Sequence, residues 1–198
     1  MLVTRESPDV LSSAKPSEDV FDRVRDYAES KFALGPHTVH GPDHWKRVED
    51  AGLALAKETG ADETVVRLFA FFHDCCRLDD GADPLHGPRA AGMVVEIAGE
   101  LCTLEPDRLA LLEYAIRHHT GGRTSDNPTI GTCWDADRLD LGRVGIVPHE
   151  RFVSTESGLR LVQGIRAKYQ SIRNHDHRHR QRKLARCPGT PIGPDICR

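Results

Sequence analysis

The chain has 198 residues, 38% of them hydrophobic and 29% charged, which suits one soluble, globular domain with a sizeable core. No stretch approaches the roughly 18 consecutive apolar residues that span a membrane, and the opening MLVTRESPDVLSS lacks the apolar core of a secretory signal, so a cytoplasmic protein is expected. The net charge of -3 conceals two opposed parts: residues 166–186 hold eight Lys/Arg against one acid, or +7, and residues 1–165 hold 18 basic against 28 acidic residues, or -10.

Residues 1–16 are rich in Ser and Pro and are expected to fray. Pro16-Ser17-Glu18-Asp19 opens a first helix with Val20, Val24, Tyr27 and Ala28 on its apolar face, ending before Gly35-Pro36. Gly41-Pro42-Asp43 starts a second, which runs to Thr59 and stops at Gly60. A third begins near Asp62 and carries Val65, Val66, Leu68, Phe69 and Phe72 toward His73-Asp74. Arg77 to Pro84 reads as a polar loop. Gly87-Pro88 opens a fourth helix to about Leu101, and Pro106 a fifth that ends at His118-His119. A sixth covers about Thr129 to Leu141 and a last one about Ser157 to Arg173. Nothing alternates with period two, so no strand is expected. The fold class is all-α, a compact bundle of about seven helices over residues 17–165, followed by a basic tail over 166–198.

The chain holds 11 histidines, as many as its Phe, Tyr and Trp together. His44 lines up with Val48, Ala51 and Leu55 on a 3.6-residue period and faces inward, whereas Gly41-Pro42 breaks the helix before it and leaves His40 in a loop. His73-Asp74 ends the most hydrophobic segment, LFAFFHD, where an Asp must be paired, hydrogen-bonded or metal-bound. His86 sits at a helix start. His118 and His119 sit at a helix end, as two ligands or as one ligand and one substrate contact. Asp137 aligns with Ile130, Cys133, Trp134 and Leu141 and is expected to point inward, with Asp135 pointing outward. His37 and His149 fall in loops, and His175, His177 and His179 in the basic tail without an apolar scaffold. The six cysteines form no CxxC pair and read as reduced, with Cys75 and Cys76 as small hydrophobes rather than ligands.

The order His44, His73-Asp74, Asp137, with HWKRV around the first and DADRLD around the last, resembles the H…HD…D signature of the HD superfamily of metal-dependent phosphohydrolases. The resemblance covers about residues 38–145 and implies metal ligation by His44, His73, Asp74 and Asp137. His86, His118 and His119 stand where binuclear members, including the HD-GYP cyclic-di-GMP phosphodiesterases, add histidines, and imply a possible second ion with Asp74 as the bridge. The chain departs from HD-GYP in lacking the GYP tripeptide and in reading HDCCR, with Arg77 at the Lys position.

Such ligands suit Mn, Fe, Co, Ni or Zn, one ion or two. The expected reaction is hydrolysis of a phosphate ester, of a nucleotide or nucleotide-like small molecule, by a metal-activated water. Asp74, His118, His119 and Arg77 are the catalytic candidates, and Lys46, Arg47, Arg77 and Arg123 the phosphate-binding ones. Asp79, Asp80 or Asp83 would supply a general acid or base. The alternatives are a non-catalytic metal-binding regulatory domain, a nucleic-acid binder acting through residues 166–186, and an oxygenase on the same fold. No aromatic side chains interleave with the charges after Tyr169, which favours a solvated tail over a nucleic-acid surface. HExxH and HxE…PCxxC are both absent.

Overall fold

The structure, a computed structural model, describes residues 16–35 and 37–185, the side chains of 176–185 excepted. Seven α-helices follow in order: α1 (Glu18–Lys31), α2 (Pro42–Thr59), α3 (Glu63–Phe72), α4 (His86–Ile97), α5 (Pro106–His118), α6 (Pro128–Leu139) and α7 (Glu156–Ala185). Two short 3₁₀ turns, Asp140–Val144 and Glu150–Phe152, join α6 to α7. Among the described residues there is no strand.

The most apolar helix is the centre. Every residue of α3 from Thr64 to Phe72 is buried, so it is hydrophobic on all sides. It packs against α1, α2, α4, α5 and α6. Its start is fixed by Asp62, whose carboxylate accepts from the amides of Thr64 and Val65 at 2.9 and 3.2 Å. Its one cation, Arg67, is buried but paired: Nε donates to Glu49 of α2 at 2.7 Å and the guanidinium reaches Glu18 of α1 at 2.8 Å. That fork ties three helices together and meets the need of a buried charge for partners.

The boundaries follow Gly and Pro. Gly60, at φ 69°, closes α2 in the left-handed region where a side chain would be strained. Asn127 caps α6 through the amides of Thr129 and Ile130, with Pro128 in its first turn.

Three expectations change. α4 stops at Ile97, four residues short of Leu101, and residues 98–101 form a turn. Asp135 is not on the outer face; it is 1% exposed. The segment after the second 3₁₀ turn folds over α6, and Asp135 accepts from the amides of Ser154 and Thr155 and the Thr155 hydroxyl, all at 2.8 Å. The last helix also does not end near Arg173. α7 continues without a break to Ala185, so the basic stretch from 166 onward is helical there. Arg, Lys and Gln are good helix formers, and they carry α7 on past Val162, its last buried residue among those described. Residues 1–15 and 186–198, with the expected N-terminal fraying, Cys187 and Cys197, lie outside the described residues.

Candidate metal centre

The helix ends converge. His44 stands in the first turn of α2, His73 caps α3, Asp74 follows it in the turn, His86 begins α4, His119 caps α5 and Asp137 lies in the last turn of α6. His44, His73, Asp74, His86 and His119 are all buried, none more than 6% exposed. Close approach of α4 to α5 depends on Gly87: a Cβ there would stand 2.7 Å from the Ile116 carbonyl oxygen and 3.3 Å from the His119 ring.

The imidazoles share one pattern. His44 Nδ1 donates to Asp140 Oδ2 at 2.8 Å, His73 Nδ1 to the carbonyl of Ala70 at 3.0 Å, and His119 Nδ1 to the carbonyl of Ile116 at 2.7 Å. His86 Nδ1 donates to the Asp83 carbonyl. Each acceptor has no proton to offer, so each Nδ1 carries the hydrogen and each Nε2 turns a lone pair inward. These Nε2 atoms meet in pairs: His44 and His73 at 3.0 Å, His86 and His119 at 2.8 Å. Facing lone pairs repel unless a positive charge sits among them.

Asp74 lies between the pairs. Its Oδ2 is 3.6 Å from His44 Nε2 and 3.5 Å from His73 Nε2. Its Oδ1 is 3.2 Å from His86 Nε2 and 3.6 Å from His119 Nε2, and accepts from Arg77 Nε at 2.9 Å. Asp137 Oδ1 joins the first pair, 3.3 Å from His44 Nε2 and 3.9 Å from His73 Nε2. Two groups, His44-His73-Asp74 and Asp74-His86-His119, thus bring their ligand atoms within 4.8 Å of one another. Imidazole nitrogen and carboxylate oxygen at that density are the donor set of a first-row divalent metal, and the residues fit one.

The electrostatics agree with ligation. Burial pushes His73 down to about 3, so its ring is neutral and its lone pair available. Burial works against ionisation of Asp74, but the surrounding imidazoles His73, His119 and His86 hold its carboxyl well below the usual range. Asp137 behaves alike: burial opposes ionisation, and the imidazoles beside it, His44 first, outweigh that and hold its carboxyl low. His119 is the exception. Burial would lower it, yet the Asp74 carboxylate raises it.

A cavity of about 240 Å³ opens over Asp74, His119 and Asp137, bordered by Arg77, Arg138 and Arg143. His40 also lines it, and its Nδ1 is 2.9 Å from Asp80 Oδ1. Thr38 donates its hydroxyl to the same carboxylate. Burial lowers the His40 pKa, with the Asp80 hydrogen bond partly restoring it.

Several expected residues fall elsewhere. His118 is exposed and lies tilted against Tyr114, 4.5 Å between ring centres, on the outer face of α5; only His119 turns inward. Lys46 pairs with Asp50 on the surface. Arg47 binds Asp140 at 2.8 Å, behind His44 rather than beside a substrate. Arg123 is exposed and does not border the cavity; its carbonyl accepts from Arg138 at 2.9 Å. Of the loop acids, Asp83 pairs with Arg89 and Asp79 accepts from the amide of Gly81 at 2.6 Å, while Asp80 reaches the cavity through His40. Arg77 does border the cavity, gripping Asp74. Cys75 is fully buried and Cys76 partly so; among the described residues the cysteines are free. Sequence reasoning missed Asp140, Arg138 and Arg143. Asp140 had a signal in its spacing, three residues beyond Asp137.

No family model and no curated protein sequence matches the chain. Two solved structures are similar in fold. One, from an uncultured Thermotogales bacterium, is described as a predicted HD superfamily hydrolase; it is 22% identical, with a TM-score of 0.59, over 85% of this chain and 91% of that one. The other, from Lactobacillus plantarum, is 20% identical, with a TM-score of 0.51, over 79% of this chain and all of that one. The chain therefore shares the all-α fold of these two structures, and at its helix crossing it brings together a His/Asp cluster whose donors fit a metal ion.

Proposed function

We propose that the protein is a metal-dependent hydrolase of phosphate esters, acting on a nucleotide or nucleotide-like small molecule. One observation carries this reading: four imidazoles, each with Nδ1 committed to an oxygen acceptor, aim their Nε2 lone pairs around a single carboxylate, Asp74. No structural role needs that geometry, and burying it without a cation is costly. His44, His73, Asp74 and Asp137 would hold one ion, and Asp74, His86 and His119 a second; Mn, Fe, Co, Ni or Zn each suits the donors. A bound divalent ion supplies Lewis-acid polarisation of a phosphoryl oxygen and a more acidic water.

The chain's own residues do the rest. Arg77 holds Asp74 in place and turns the remainder of its guanidinium to the carbonyls of Asp79 and Gly81. Arg138 and Arg143 border the cavity with positive charge, which favours an anionic group there. His40, backed by Asp80, faces the same space and is the group positioned to pass a proton to a departing oxygen. A cavity of about 240 Å³ is small for a ligand pocket and favours a phosphate with a modest substituent.

The test is elemental analysis of the purified protein together with turnover of a panel of phosphomonoesters, phosphodiesters and nucleotides. The expected result is stoichiometric transition metal and hydrolysis of at least one ester. Asp74→Ala is expected to lose both. Turnover that survives in Asp74→Ala would sink the reading.

A further inference from the structure

The two halves of the cluster are backed differently. His73, His86 and His119 each give their Nδ1 hydrogen to a main-chain carbonyl. His44 alone gives it to a carboxylate, Asp140, at 2.8 Å. Asp140 is itself held: Arg47 Nε donates to its Oδ1 at 2.8 Å, and the Arg143 guanidinium lies 3.7 Å from its Oδ2. Arg143 is anchored in turn to the Val39 carbonyl at 2.8 Å. The chain has therefore built a fixed carboxylate behind one imidazole of four. It does so from the 3₁₀ turn that directly follows the helix carrying Asp137.

A carboxylate behind an imidazole raises the basicity of the far nitrogen and fixes the ring's direction more firmly than a carbonyl does. The first group also has more anionic ligands near it. Asp74 Oδ2 and Asp137 Oδ1 both face His44 and His73, whereas His86 and His119 face Asp74 Oδ1 and the neutral Thr120 hydroxyl, 3.2 Å from each. Asp74 Oδ1 is moreover shared with Arg77, which draws charge from the second group and not the first.

We infer that Asp140 is a positioning residue for His44, and that it makes the His44-His73-Asp74-Asp137 group the tighter of two unequal divalent-metal sites, filled before the Asp74-His86-His119 group. This rests on the functional reading above only in that both ions are divalent metals. Asp140 touches neither ion. It acts through His44.

The test is a titration of the metal-free full-length protein with Mn²⁺, followed by calorimetry and by the electron paramagnetic resonance of free Mn²⁺. The wild type should show a tighter and a weaker class of site. Asp140→Ala should weaken the tighter class by about 10–100-fold, the usual effect of losing a partner behind a metal ligand, and leave the weaker class unchanged. Asp140→Asn keeps an oxygen to accept the His44 hydrogen and should fall between the two. His86→Ala should remove the weaker class alone. Circular dichroism guards against a misfolded variant, and the Asn variant remains informative if the Ala variant unfolds. If Asp140→Ala and Asp140→Asn bind both ions as the wild type does, or weaken both classes equally, the inference is overturned and the hydrolase reading stands. A wild type that binds no divalent metal overturns both.

Discussion

Helices α3 and α7 are opposites. α3 is ten residues long, buried from Thr64 to Phe72, and delivers His73 and Asp74 to the centre of the molecule. α7 is 30 residues long, and as far as residue 175 only Ser157, Gly158 and Val162 of it are buried; from 167 to 175 every residue is exposed. One helix exists because its neighbours surround it. The other is held at its beginning and sustained beyond that by its own propensity. The contrast separates where the chain keeps its chemistry from where it keeps its charge.

The comparison is sharpest at Phe69. This side chain is fully buried and its ring stacks on His73, 5.0 Å between centres and 18° between planes, with the edge of His119 6.1 Å away. Phe69→Ala should cost about 3–5 kcal/mol, the range for truncating a buried aromatic. Urea unfolding of the metal-free protein measures it, and a loss well under 1 kcal/mol would mean that α3 is not the packing centre.

A smaller effect is expected from pH. His73 is held at about 3 by burial, well under its ordinary value of 6.5. Between those values the unfolded chain takes up a proton that the folded chain refuses, so this ring's contribution is intact above about 6.5 and declines as pH falls toward 3. Asp74 and Asp137, held low, add to the loss in the acid range, while His119, raised by Asp74, acts in the opposite sense near neutrality. Unfolding free energies of metal-free protein, wild type against His73→Gln, should diverge in slope between pH 6.5 and 4. Parallel slopes would show that His73 titrates normally.

The smallest effect is expected from α7. Removing residues from Asn174 onward deletes most of the positive segment but no buried side chain among those described. Stability should stay within about 0.5 kcal/mol and turnover should be unchanged. A large drop in either would show that the distal helix belongs to the body.

How much could be read in the sequence follows from the range of the interactions. Helix starts and stops at Pro42, Gly60, Pro106 and Pro128 are local devices, and the elements they bound appear where expected. His44, His73, Asp74, His86 and Asp137 stood out because their positions conflict with an apolar surrounding. His118 and His119 could have been separated from the period alone: His119 continues Leu112, Ala115 and Ile116, whereas His118 continues Tyr114. Asp135 could not, because what makes its burial tolerable is the turn at Ser154 and Thr155, far along the chain. The arginines could not be sorted by sequence distance either: Lys46, Arg47, Arg123, Arg138 and Arg143 all lie near ligands along the chain, and only Arg138 and Arg143 of these border the cavity.

Gly87 bears on assembly. All three residues of the second group could be present in a chain and still fail to meet. A single methyl at 87 would press on the main chain of α5, which cannot swing aside as a side chain would, and α4 would have to withdraw with His86 on it. Asp74 and the first group lie outside that contact. Whether His86 can meet His119 and Asp74 is then set by a clearance between two helices as much as by the inventory of histidines.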